Sequence, residues 1–431
     1  MAKITKKLTD LVGNIPLLEL DSFRKRHLLE ARLIRKLKYS DPLGSVIAKT
    51  RFHYEISKKQ LFGSHIKIIF TTLFFCSLLI TAKADEKGLL SDIDIIGKLT
   101  SDSTRIAKIE NVVSKLPKMQ LFINPRLTYN DNQATPVGFD IRRVQFTVNG
   151  KIMKNLEYNL MAEFAGSPKL LNVNAAWTPL KELQIRAGQF KIPFTLESAY
   201  SRSVFESYDN SQAVNQYTFY SKDPSGISSN GRDIGVSLYG GFIARKGYNI
   251  INYDIGIFNG NGINLKNNNR DINYVGRLNI NPINPVTISG SFINGRFGDM
   301  KTEKVKKIER YAAGARYEDK RHLLRAEYIT SQTEVNAPAG ASYPTEMLKG
   351  HGAYVIGGYY FIPDVLQGLL KYDYIQTDKN KDSTKKTDYY AGANYFFQKG
   401  KSSHIQLFYC YSDIPGKANE NQILAQLYII F

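Results

Sequence analysis

Beyond Lys118 the chain carries strongly basic side chains on one side of an alternating apolar and polar pattern. In the run Arg143-Val-Gln-Phe-Thr-Val148, Val144, Phe146 and Val148 share one face of an extended strand. Arg143, Gln145 and Thr147 share the other. The same count assigns Arg126, Arg186, Arg277, Arg310, Arg316, Arg325 and Lys371 to the polar face, with Glu157, Glu163, Glu327 and Asp373. That is a positive excess. Guanidinium groups grip oxyanions through two parallel hydrogen bonds. Rings of Arg and Lys inside a pore favour anions and phosphates. The plainer role of the same charges is to hydrate a wall. Other chemistry has little support. His322, His351 and His404 have no recognisable serine partner for nucleophilic catalysis. The six histidines and two cysteines show no ligand spacing, so neither a metal nor a cofactor is expected.

Such a face must be positioned by strands. We read sixteen, at about 118–130, 138–149, 154–166, 169–179, 181–194, 231–242, 246–258, 270–281, 284–298, 306–318, 320–332, 349–361, 365–377, 386–398, 402–413 and 421–431. The last places Ile423, Ala425, Leu427, Ile429 and Phe431 at every second position. Short strands in even number are the pattern of an all-β, antiparallel transmembrane barrel of sixteen strands in a Gram-negative outer membrane. The 27 Tyr and 23 Phe, against one Trp, suit its interfacial girdles. A stack of β-sandwiches could share this composition but not the spacing of the breaks. Tight turns at Asn149-Gly150 (a type I′ hairpin signal), Thr178-Pro179, 282–285, 318–320, Pro363-Asp364 and 398–401 follow even-numbered strands. Longer loops such as 259–269 and 333–348 follow odd-numbered ones. That alternation separates short periplasmic turns from extracellular loops. The third extracellular loop, Thr195 to Asn230, is the longest. A lumen of this size is too wide for wall side chains to fill, so the loop is expected to fold inward and narrow it. Arg202, Asp209 and Lys222 are its constriction candidates.

The formal charge of +19 is uneven. Residues 1–84 hold 16 Lys and Arg against 6 Asp and Glu; the remainder holds 42 against 33. The barrel is thus only mildly basic, which gives no case for a nucleic-acid partner. Residues 64–84 read as a Sec signal peptide: Lys58, Lys59 and Lys67 precede the apolar run Ile68 to Ile80, and Ala82-Lys83-Ala84 offers a cleavage site. Cys76 would leave with it, and Cys410 would then be alone. Residues 85–117 read as a periplasmic tether, partly helical, with Ile106, Ile109, Val113 and Leu116 on one stripe.

Residues 1–63 lie upstream of that signal and read as a foreign extension. Leu8 to Leu20, Glu30 to Lys38 and Asp41-Pro-Leu-Gly-Ser-Val46 resemble the start of cysteine synthase, a pyridoxal-phosphate enzyme. Ile47 stands where that family has its cofactor lysine. The resemblance covers about fifty residues, and the stretch is expected to confer no enzyme activity.

Over residues 118–431 a second resemblance applies. Gly138-Phe-Asp-Ile-Arg-Arg-Val-Gln-Phe146, Leu183-Gln-Ile-Arg-Ala-Gly-Gln-Phe-Lys-Ile-Pro-Phe194 and Gly231-Arg-Asp-Ile-Gly-Val236 resemble the phosphate-selective porin O and P family. That resemblance implies a homotrimeric channel in outer-membrane lipid, passing small anions such as phosphate along an arginine ladder. It maps the family's paired arginine onto Arg142 and Arg143. A general, non-selective porin is the alternative; a cysteine synthase-like enzyme is a more distant one.

Overall fold

The structure is a computed structural model, described from residue 116 onward except residues 202, 204, 269, 299–305, 338–344 and 398–402. Of the first 115 residues it describes only four short strands, Ile4–Thr5, Leu17–Glu19, Ile34–Lys36 and Phe52–His53, which pair in that order into a small sheet. They belong to a separate compact unit, Met1–Arg105; the second unit is Ile106–Phe431. The expected signal peptide, almost all of the tether, and Arg202 lie outside the described residues.

The second unit is a closed barrel. Its strands are β1 Lys118–Asn130, β2 Val137–Met153, β3 Leu156–Glu163, β4 Lys169–Trp177, β5 Gln184–Lys191, β6 Arg232–Arg245, β7 Tyr248–Phe258, β8 Asn273–Ile280, β9 Val286–Phe297, β10 Lys306–Glu318, β11 His322–Asn336, β12 Thr345–Ile362, β13 Leu366–Gln376, β14 Lys385–Phe396, β15 His404–Asp413 and β16 Glu420–Ile430. Every neighbour is antiparallel. Closure comes from β16 lying against β1, with Gln422 opposite Asn130 and Ile430 opposite Phe122. Phe431 and Leu121 extend the seam with backbone bonds of 3.0 and 3.3 Å. A closed ring leaves no strand edge unpaired, which lipid demands.

Alternation sorts the two faces. On β16, Leu424, Gln426 and Tyr428 turn inward and are buried, while Ile423 and Phe431 are exposed. The outer surface carries Val236, Leu238, Ile255, Leu324, Val355, Leu370, Leu407 and many tyrosines. Exposed apolar residues in this density suit acyl chains rather than water.

One turn differs from its sequence signal. Asn149 and Gly150 lie inside β2, opposite Asn159 and Tyr158, and the chain reverses after Met153. Gly150 serves a different need there: a Cβ on it would stand 2.6 Å from the Tyr158 ring. The turn before β11 is held by Asp319, which accepts the Arg321 and His322 backbone N–H groups and the Tyr317 hydroxyl, each at 2.7 Å. Those bonds, with Arg321 first, hold its carboxyl well below the usual range.

Candidate functional site in the barrel lumen

The site starts from a proline. Pro125 sits within β1 and cannot donate to the ladder, and the register with β2 shifts between Asn124 and Pro125. Asn124 pairs with Arg143 and Pro125 with Ile141, so Arg142 is the extra residue of a β-bulge. Strict alternation would turn Arg142 to lipid. The bulge reverses the phase instead: Phe139 and Ile141, 80% and 60% exposed, face out, and both Arg142 and Arg143 line one cavity inside.

Each arginine meets a carboxylate. Arg142 Nη2 donates to Asp209 Oδ2 at 2.7 Å, and Arg143 Nη1 reaches Glu163 Oε2 at 3.4 Å. Glu163 also accepts from Gln145 Nε2 (3.0 Å) and from the backbone N–H groups of Val144 (2.7 Å) and Ala165 (3.1 Å). Lys169, Tyr220 and Asn230 complete a cavity of about 260 Å³. A neighbouring space of about 190 Å³ shares Arg143, Tyr220 and Asn230 and adds Lys191, Arg232, Asn172 and Gln145. Lys191 donates to the carbonyls of Ser198 (2.9 Å) and Tyr200 (2.7 Å). Arg232 donates through Nε to Asn172 (2.6 Å) and through Nη1 to the Asn230 carbonyl (2.7 Å). Asn172 passes the chain to Asn159 (2.7 Å) and Asn159 to Asn149 (2.5 Å), so three strands orient Arg232. Five cations and two carboxylates line these joined spaces. Such an array can strip part of an oxyanion's hydration and replace it with donors.

The opposing wall of the passage is residues 192–231, with a short helix α1 at Gln212–Tyr217. This segment lies against inward-facing groups of β9 to β16. Val214, Tyr217 and Phe219 pack among Phe297, Ile308, Ile329 and Tyr354, all buried. Arg310 forms a two-pronged pair with Asp223 at 2.7 and 2.9 Å and also donates to the Tyr217 carbonyl. Arg325 meets Glu206 at 2.5 Å and Glu197 at 3.4 Å. Glu327 accepts from Leu196 and Glu197, and Asp373 accepts the Gln212 N–H through both oxygens at 3.0 Å. Lys371 lies 3.3 Å from Asp373 and from the Asp209 carbonyl. Gln406 and Gln426 donate to the carbonyls of Phe205 and Tyr208.

The nine basic wall residues expected from sequence therefore separate. Arg142 and Arg143 line the cavity between β2 and the loop. Arg310, Arg325 and Lys371 are buried fasteners of the loop. Arg126 is clasped by Asp140 at 2.6–2.9 Å. Arg186 binds Asp254 at 2.7 Å, Arg277 donates to the Thr195 carbonyl, and Arg316 pairs with Glu318. Of the loop candidates, Asp209 is beside Arg142, while exposed Lys222 lines neither of these two cavities. The four wall carboxylates read from sequence understate the neutralisation, because Glu197, Glu206, Asp209 and Asp223 come from the loop. Lys169, Lys191 and Arg232 were missed as site residues. The Gly-Gln-Phe-Lys and Gly-Arg-Asp motifs contain the last two, and Pro125 was the signal for the bulge.

A closed sixteen-stranded barrel with a loop packed against its inner wall and an apolar outer face is the architecture of outer-membrane porins. More particularly, residues 119–287 match the model of the phosphate-selective porin O and P family. Among solved structures, an anion-selective porin from Comamonas acidovorans is similar with a TM-score of 0.55 at 12% identity, covering 73% of this chain and 99% of that one. OmpF of Salmonella typhi, solved as a complex with daunomycin, gives 0.55 at 13%, covering 74% and 98%. The trimer form of OmpT, an outer membrane protein of Vibrio cholerae, gives 0.51 at 12%, covering 73% and 99%. At these identities the likeness is one of fold. No curated protein matches the chain.

Proposed function

We propose that this porin passes small anions, phosphate among them, along the track formed by Arg142, Arg143, Lys169, Lys191 and Arg232. The observation that carries this reading is the bulge at Arg142, which turns two adjacent guanidinium groups into one cavity. Five cations share two carboxylates at this corner, whereas most other lumenal cations have a carboxylate each, so preference arises here rather than along a continuous ladder. The chain acts as a homotrimer, is exported by the signal at 64–84, and takes no catalytic contribution from residues 1–63.

The test is the reversal potential of the purified channel in a planar bilayer under a salt gradient, with phosphate titrated as a blocker. The wild type is expected to favour anions. Arg142→Glu with Arg143→Glu should carry selectivity toward cations and weaken phosphate block by about tenfold or more, a change equivalent to roughly 1.4 kcal/mol. A wild type without ion preference would favour the general porin, and an unchanged double variant would move the selective site elsewhere.

A further inference from the structure

A second group of cations stands on the outward face, at the loop end of β12 to β14. Lys349 and His351 of β12 and Lys385 of β14 alternate with the inward Gly350, Gly352 and Asp388, so they point away from the lumen. Loop 377–384 adds Lys379 and Lys381. That loop is firmly built: the Lys379 N–H donates to the Lys349 carbonyl at 2.7 Å. Gln376 Nε2 reaches the carbonyls of Lys379 and Lys381 at 3.4 and 3.5 Å. Thr384 Oγ1 donates to the Lys381 carbonyl at 2.7 Å.

Two carboxylates accompany these lysines. Asp378 pairs with Lys381 at 3.1 Å and Asp382 with Lys385 at 2.7 Å. Glu334 on β11 accepts the Lys307 N–H at 3.1 Å. Among the described residues, Lys349 and Lys379 have no carboxylate partner, although their backbones are bonded to each other. Like charges brought near one another repel, and an anion close to both offsets that repulsion. The same face is aromatic one row below. The His351 ring lies 6.0 Å from Tyr328 and 5.6 Å from Tyr374, and Tyr372 and Tyr389 stack edge-on at 5.5 Å. Outward tyrosines mark the depth where acyl chains meet head groups. The lysines above them are thus at head-group height, on the side that lumenal solutes do not reach.

We propose that this patch binds the phosphorylated head group of an outer-leaflet lipid, its acyl chain lying on the tyrosines. Lysine suits that ligand as a compact point charge for phosphate, and clustered Lys near a bilayer surface reads as an anionic-lipid site. The inference rests on the outer-membrane orientation but not on the anion track.

The experiment uses the full chain in phosphatidylcholine nanodiscs doped with bisphosphorylated lipid A or with its dephosphorylated form, and reads bound lipid by native mass spectrometry. The wild type should retain the bisphosphorylated lipid better. The variant K349Q/K379Q/K385Q should lose that retention by about a hundredfold, given roughly fivefold per lysine near a surface. Its conductance should equal the wild type's, which also reports that the barrel is intact. The Arg142→Glu and Arg143→Glu variant should bind lipid as the wild type does, so the two readings fail separately. Equal retention of both lipids, an unaffected triple variant, or displacement by equimolar inorganic phosphate would each overturn the proposal.

Discussion

The loop at 192–231 has two flanks, and the same residue types do different work on each. On the flank facing β10 to β13, Arg310 and Asp223 are both 0% exposed. Removing one member of such a pair strands the other as a buried charge, at a cost of about 3–5 kcal/mol. On the flank facing β2 to β4, Arg142 and Asp209 are 36% and 27% exposed. A wet pair of that kind is worth roughly 1 kcal/mol or less. In the proposed track a solute anion would exchange with Asp209 at small cost, whereas it would not displace Asp223. Between these two pairs the difference is burial, not charge.

The sharpest way to break this comparison is Arg310→Ala. It should loosen the loop by about 3–5 kcal/mol, exposing residues 207–230 to protease and giving larger, noisier channel openings. Replacing both partners, Arg310→Met with Asp223→Leu, should restore quiet openings, because an apolar pair of similar size leaves no stranded charge. If the single variant conducts as the wild type, the buried flank is not a fastener. On the wet flank, Asp209→Asn should release Arg142 and raise the anion-to-cation permeability ratio up to about fivefold, the equivalent of roughly 1 kcal/mol. A fall in that ratio would contradict the exchange. The smallest effect is expected of Asn172→Ala, which removes the acceptor from Arg232 Nε. One hydrogen bond of about 0.5–1.5 kcal/mol should weaken phosphate block several-fold while the sign of the reversal potential stays. A reversed sign would make Arg232 a principal charge of the passage rather than an oriented contributor.

How far the sequence reached is clearest at single residues. Val144, Phe146 and Val148 declare the outer face of β2 because alternation is a local property of extended chain. The same arithmetic failed beside them: it turns Arg142 outward, and only the register slip at Pro125 turns it in. Asn149-Gly150 carried a strong turn signal, yet Tyr158 needs the space above Gly150, and the strand runs on. Arg325 lies buried among loop residues. Its partners Glu197 and Glu206 lie more than a hundred positions away, where no spacing rule operates.

By itself the sequence determined the membrane class, the sixteen strands and most of their faces, since each follows from periodicity and turn chemistry within a few residues. The tertiary structure decided which inward cations are neutralised, where two neighbouring arginines can share a cavity, and which loop lysines gather on the outer face. Those outcomes depend on ring closure and on how one long loop packs against the far wall, and neither is encoded in any short stretch of chain.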